Sequence, residues 1–359
     1  HKYCPEISHK TEMKYPDSGE VVVNYINKSS NRVSGVEEMG AFTDLSSYDI
    51  VNIGDSFLQA DEIPYEYTLS RFLEAGTGKK ALQVGMGSWA PINFYAWLKH
   101  NPLPHRVEVN MFVMTNDVLP NYANTNRNYY KLGNLNSSGE LEFDDFSFIW
   151  GIFGKSDFAG KLKHALVMNS AIYRLLLRFK TKFNENKQNK DVPSPRVFSG
   201  KLTKPIADCS SIKNYDDIST RTRDYVLLAF ELKCWDEDLL DSVDSAIRDL
   251  RKSIREVNKV EGKIRIFIIP AGFAFEDENH AGKTHQKYRM KEDAVITSEP
   301  LVEYISMQLK DMSIEVISLE KVIKNLKLTN ENKFYFIRDG HWSKHAHKQL
   351  GKWMAKTFY

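Results

Sequence analysis

Short apolar runs that end on glycine or proline alternate with amphipathic stretches at both ends of this chain, and that alternation leaves few folds open. Tyr48 to Ile53 reads as a buried strand ending at Gly54. An amphipathic stretch from Ser56 to about Ala75 follows, mostly helix and broken near Pro64. Ala81 to Val84 and Val107 to Met114 read as two further strands, with a helix through Trp97 between them. Strands separated by helices imply parallel βαβ units.

The alternation returns late in the chain. Asp238 to Asn258 carries Leu239, Leu240, Val243, Ile247, Leu250 and Ile254 on one helical face. Lys263 to Ile269 is a strand, Glu299 to Met312 a helix and Ile314 to Leu319 a strand. Ser343 to Phe358 is a closing helix, with Ala346, Leu350, Trp353, Met354 and Phe358 facing inward. The expectation is an α/β fold with one doubly wound, mostly parallel sheet. Residues 1–47 form an N-terminal extension packed on the core, with a short strand at Val21 to Val23. Residues 48–359 form the main domain, interrupted by an insertion at about 120–222.

That insertion holds an apolar patch, Phe146 to Gly154, readable as a lid or as plain packing. It also holds a basic helix, Ala165 to Phe183, and a polar, proline-punctuated loop, Asn184 to Pro195. Its lysines and arginines between His164 and Lys204 either form a solvated face or meet an acidic polysaccharide or membrane surface.

A net charge of +2 over 359 residues does not point to nucleic acid as a partner. No apolar run approaches the roughly 20 residues of a membrane span. The chain begins at His1 rather than Met, which a removed signal peptide or membrane anchor would explain. Three cysteines, Cys4, Cys209 and Cys234, make neither a disulfide framework nor a metal pair. Cys209 and Cys234 either pair, in an exported protein, or stand as separate buried thiols.

In open α/β sheets, sites form at the carboxyl ends of the strands. Four segments carry suitable groups there or in a late loop. Gly54-Asp55-Ser56-Phe57 follows a strand and opens a helix, whose N-terminus favours negative charge. Taken alone, Asp55 or Ser56 there reads as a helix cap. Gly85 follows the second strand, where a glycine lets backbone approach a ligand. Asn116, after the third strand, carries an amide able to donate to an oxyanion, although an Asx-turn is its ordinary role. Asp339-Gly340-His341-Trp342 precedes the last helix. A carboxylate there can hold one imidazole nitrogen while the other takes a hydroxyl proton.

Together, Gly-Asp-Ser56-Phe, Gly85, Met-Thr-Asn116-Asp and Asp339-Gly-His341 resemble the blocks of the SGNH hydrolases, also called GDSL-like esterases, in that superfamily's order. The Asp-x-His-Trp string is similar to the branch found in bacterial polysaccharide O-acetylation proteins. It departs from the commoner Asp-x-x-His spacing, and Met114 stands where a glycine is common. The resemblance implies a flavodoxin-like fold, and Ser56, Asp339 and His341 as a catalytic triad. It also implies an oxyanion hole from Ser56, Gly85 and Asn116, no cofactor, and an acylated carbohydrate or other ester as substrate. It further implies an exported, periplasmic or cell-surface protein, associated with a membrane or export machinery through an upstream segment.

Asp55 is read as structural. Trp89 and Trp342 flank the proposed site and are candidates to stack on sugar rings, or core residues. His341, His345 and His347 have spacing that could bind zinc, but no glutamate follows His341 in the zincin manner, so no metal is assigned. His345 and His347 are expected on the surface or rim. The competing functions are a lipid or small-ester hydrolase and a non-catalytic carbohydrate-binding protein.

Overall fold

The computed structural model describes residues 9–14, 21–26, 31–34, 44–119, 228–229, 231–270, 297–326, 334–336 and 340–359. The insertion, with its apolar patch and basic helix, lies outside the described residues, as do Cys4, Cys209 and Asp339.

The chain opens with an antiparallel meander of β1 (His9–Lys14), β2 (Val21–Ile26) and β3 (Arg32–Val33). Asn31 joins it to the main sheet by a bridge to Val84. The main sheet contains β4 (Ile50–Gly54), β5 (Ala81–Gly85), β6 (Glu108–Met114), β7 (Lys263–Ile269) and β8 (Glu315–Ser318). All pair in parallel, in the order β5-β4-β6-β7-β8. This is the flavodoxin-like order, in which the winding direction reverses between the first and third strands.

Helices cover both faces, which is why the strands read as continuous apolar runs rather than alternating ones. On one face, Val51, Ile53, Val109, Met111, Val113, Ile266 and Ile268 pack under α3 (Pro91–His100), α4 (Glu237–Asn258) and α5 (Glu299–Leu309). On the other, Ile50, Phe112, Met114, Phe267 and Ile269 meet α1 (Ser56–Gln59), α2 (Leu69–Thr77), α6 (Leu319–Asn325) and α7 (Lys344–Phe358). Phe112 stacks on Phe267 at 4.8 Å between ring centroids.

Polar side chains inside the sheet link the strands to one another and to the helices beside them. Asn110 donates to Asn52 at 2.8 Å, Asn52 donates to Ser70 Oγ at 2.8 Å, and Gln83 accepts from Ser70 N at 3.1 Å. Gln83 also donates to Leu58 O at 2.6 Å, so this ladder ties α1 and α2 to the strands.

Several local readings change. The extension contains three strands rather than one, because its polar residues hide the period of two. Helix α6 directly follows β8, where the sequence reading placed only a strand end. The inner face of α7 includes His347, which is 1 % exposed, not a rim residue. Burial lowers its pKa to about 3, aided by the charges of Arg32 and His341. In that neutral state its Nδ1 accepts from Leu69 N at 3.1 Å, at the start of α2.

Candidate active site

The winding reversal puts the carboxyl ends of β4 and β6 side by side, and a crevice forms at such a switch point. Ser56 follows β4. Asp55 caps α1, its Oδ1 accepting from Phe57 N at 3.0 Å and its carbonyl from the N–H groups of Leu58 and Gln59. None of these bonds uses the Ser56 N–H. Helix α1 is a single turn, because Ala60 enters the left-handed region at φ 52°. The chain then folds back through a turn closed by Ile63 N to Ala60 O, at 3.3 Å. That reversal carries Glu62 to the serine side of the sheet.

His341 is fixed by a short antiparallel pairing before α7. Phe336 N donates to His341 O at 2.8 Å, Ser343 N to Phe334 O at 2.9 Å, and Tyr335 bridges Trp342. Gly340 has φ 86°, a conformation open to glycine and strained for other residues, which makes the tight return possible. Ser343 then caps α7 through Ala346 N at 3.3 Å. Phe57 meets the imidazole edge-on, at 4.9 Å between centroids.

The two ring nitrogens of His341 are engaged on opposite sides. Nε2 lies 2.8 Å from Ser56 Oγ. Nδ1 lies 2.9 Å from Glu62 Oε1. The Glu62 side chain is 7 % exposed and that of His341 24 %. A carboxylate on Nδ1 favours the tautomer with its proton there, in which Nε2 can accept the serine proton. Sequence reasoning assigned the carboxylate to Asp339, which lies outside the described residues, and did not identify Glu62. The available signal was an acidic pair, Asp61-Glu62, at the break of an apolar-patterned stretch before Pro64.

Two further carboxyls lie beneath the serine. Asp55 Oδ2 is 3.3 Å from Ser56 Oγ, and burial raises its pKa to about 6 against the bonds and the His341 charge that favour ionisation. Asp117 accepts from Met114 N at 2.9 Å, and burial with the neighbouring Asp55 pushes it well above the ordinary range. Asp55 thus caps and supports the serine turn, as its structural reading required.

The predicted oxyanion groups fall into different settings. A Cβ at Gly85 would lie 2.6 Å from Gln59 N and 2.8 Å from Asp55 O, so the missing side chain lets α1 sit against β5. A Cβ at Gly87, an exposed residue, would lie 4.0 Å from Ser56 Cβ. Its N–H donates to the Gln59 side chain. Asn116 stands on the 3-10 turn Thr115–Val118 after β6. Its Oδ1, an acceptor, is buried with no hydrogen-bond partner among the described residues. Such an orphan calls for a partner.

Both tryptophans correct the expectation of sugar stacking. Trp89 is 3 % exposed and Trp342 1 %. Trp89 belongs to the core beneath α3, and Trp342 packs edge-on against Phe57, Phe112 and His347. Neither ring offers a face to a ligand. The histidine cluster is likewise divided: His341 faces Ser56 and Glu62, while His347 is bonded to the start of α2. Among the described residues no three His, Cys, Asp or Glu side chains converge as a metal site, and no helix is long and apolar enough to cross a membrane.

No protein-family model matches the chain, and no curated protein matches it significantly.

Proposed function

We propose that the chain is a serine-dependent acyl hydrolase or acyl transferase of the SGNH type, acting on O-acetyl groups of a carbohydrate. The observation that supports this reading is the serine–histidine–carboxylate chain, at 2.8 Å and 2.9 Å. A serine hydroxyl is a poor nucleophile without an adjacent base. As Ser56 Oγ attacks the ester carbonyl, its proton passes to His341 Nε2. Glu62 orients the ring and stabilises its cationic form. The tetrahedral oxyanion is held by the Ser56 N–H and the Asn116 amide, with Gly85 and Gly87 shaping the strand end beside it. Collapse expels the alcohol, which takes the proton back from Nε2 and leaves acyl-Ser56. Water or a sugar hydroxyl, activated by the same imidazole, then accepts the acyl group.

The carbohydrate substrate rests on the resemblance of Asp339-Gly-His341-Trp342 to the polysaccharide O-acetylation branch. Export is supported by the disulfide at Cys234, a bond that persists in oxidising compartments.

Incubation with p-nitrophenyl acetate, with and without an oligosaccharide acceptor, tests the reading beside Ser56→Ala. The parent is expected to turn over and to carry acetyl on Ser56, and the variant to do neither. Acetyl transferred to the sugar identifies a transferase; release to water alone identifies an esterase. Absence of both turnover and acetyl-serine in the parent sinks the proposal.

A further inference from the structure

We propose that Arg32 is a positioning residue for the active site: from β3 it grips the turn that presents Glu62 to His341. The inference rests on the proposed serine chemistry and extends it to the N-terminal meander.

A guanidinium taken out of water is costly unless its donors are met. Arg32 is 2 % exposed. It donates to Ala60 O at 2.6 Å, to Ile63 O at 2.7 Å, and to Gln59 O and Asn24 Oδ1. Asn24 on β2, 1 % exposed, donates in turn to Asp61 O. Two meander side chains therefore hold the carbonyls of Gln59, Ala60, Asp61 and Ile63, on both sides of Glu62. The gripped turn includes Ala60 in the left-handed region, a conformation an alanine adopts only when its surroundings hold it there. The guanidinium fork meets four acceptors at once, whereas a lysine ammonium has three donors on a single point.

The consequence is geometric. Glu62 reaches His341 only while the 59–63 turn keeps its shape, and the core contributes to that shape through Gln83 on Leu58 O and the buried Ile63. Displacing a supporting group by about 1 Å can cost about 10²-fold in rate. Arg32→Met also removes a positive charge that acts on Asp61 and His347, both near His341, so Arg32→Lys, which keeps the charge and loses the fork, is measured beside it.

The test is a double-mutant cycle of Arg32→Met and Glu62→Gln, read by Ser56-dependent turnover and by NMR titration of His341 in histidine-labelled protein. Arg32→Met is expected to lower kcat about 10–10²-fold and to shift the His341 titration to lower pH, in the direction of Glu62→Gln. The double variant is expected to lose no more than Glu62→Gln alone, since both changes remove one contact. A lower Tm with kcat and titration unchanged overturns the proposal, and so do losses that multiply. If the parent shows no Ser56-dependent turnover, the enzyme reading fails, and an unshifted His341 titration in Arg32→Met then decides against Arg32 separately. Should Arg32→Met not fold, Arg32→Lys carries the same comparisons.

Discussion

Replacing Glu62 by Gln keeps shape and removes one charge. Its carboxylate lies 2.9 Å from His341 Nδ1, with side chains 7 % and 24 % exposed. For a partly wet pair an effective dielectric of about 20 is appropriate, and charge centres about 4 Å apart then attract by about 4 kcal/mol. That attraction acts on the imidazolium formed in the transition state and is absent from the neutral ground state. At 1.36 kcal/mol per decade it corresponds to about a 10³-fold loss in kcat. The acid limb of the pH–rate profile is expected to move down by about 1–3 units, because a neighbouring negative charge no longer favours the imidazolium. Hydrolysis of p-nitrophenyl acetate between pH 5 and 9, with circular dichroism to confirm folding, measures both. A folded Glu62→Gln with near-parental kcat and an unmoved limb would refute the assignment. Asp339→Asn in the same assay settles which carboxylate orients the ring: the account expects the large loss at Glu62.

Two other substitutions have defined outcomes. Asn116→Ala should slow acyl transfer about 10²–10³-fold by removing an oxyanion donor, with Tm nearly unchanged because its buried oxygen has no partner among the described residues; steady-state kinetics and calorimetry check this. Asp55→Asn keeps the acceptor for Phe57 N and deletes a carboxyl whose pKa is raised from 3.8 to about 6. A carboxyl raised on folding holds its proton more tightly in the native state, so the parent loses stability as pH climbs from about 4 through 6, by up to about 3 kcal/mol. Urea unfolding at pH 4 and pH 7 should show the variant gaining on the parent by that order; a constant difference would count against the buried charge.

The main sheet was legible because its signals are local. Lys263 to Ile269 is so densely apolar and β-branched that its boundaries match the observed strand, and α4 and α7 follow from an apolar face at helical spacing. The serine turn was legible because Gly54-Asp55-Ser56 follows a strand. What escaped the sequence depends on contacts between distant segments. Glu62 comes within 2.9 Å of His341 because Ala60 reverses the chain, a reversal whose carbonyls Arg32, 30 residues earlier, bonds. His347 looked like a surface histidine because its buried bond goes to Leu69, across the α2–α7 interface. Trp342 looked available because it adjoins His341, yet in the extended segment before α7 neighbouring side chains point opposite ways, and its ring turns into the core.

The central claim is that His341 activates Ser56, and covalent labelling tests it most directly. A fluorophosphonate reacts with an activated serine hydroxyl and spares ordinary ones. Intact-mass and peptide analysis should find one adduct, on Ser56, formed far more slowly in His341→Asn and not at all in Ser56→Ala. An unlabelled parent, a label on other serines, or a rate indifferent to His341 would contradict the account.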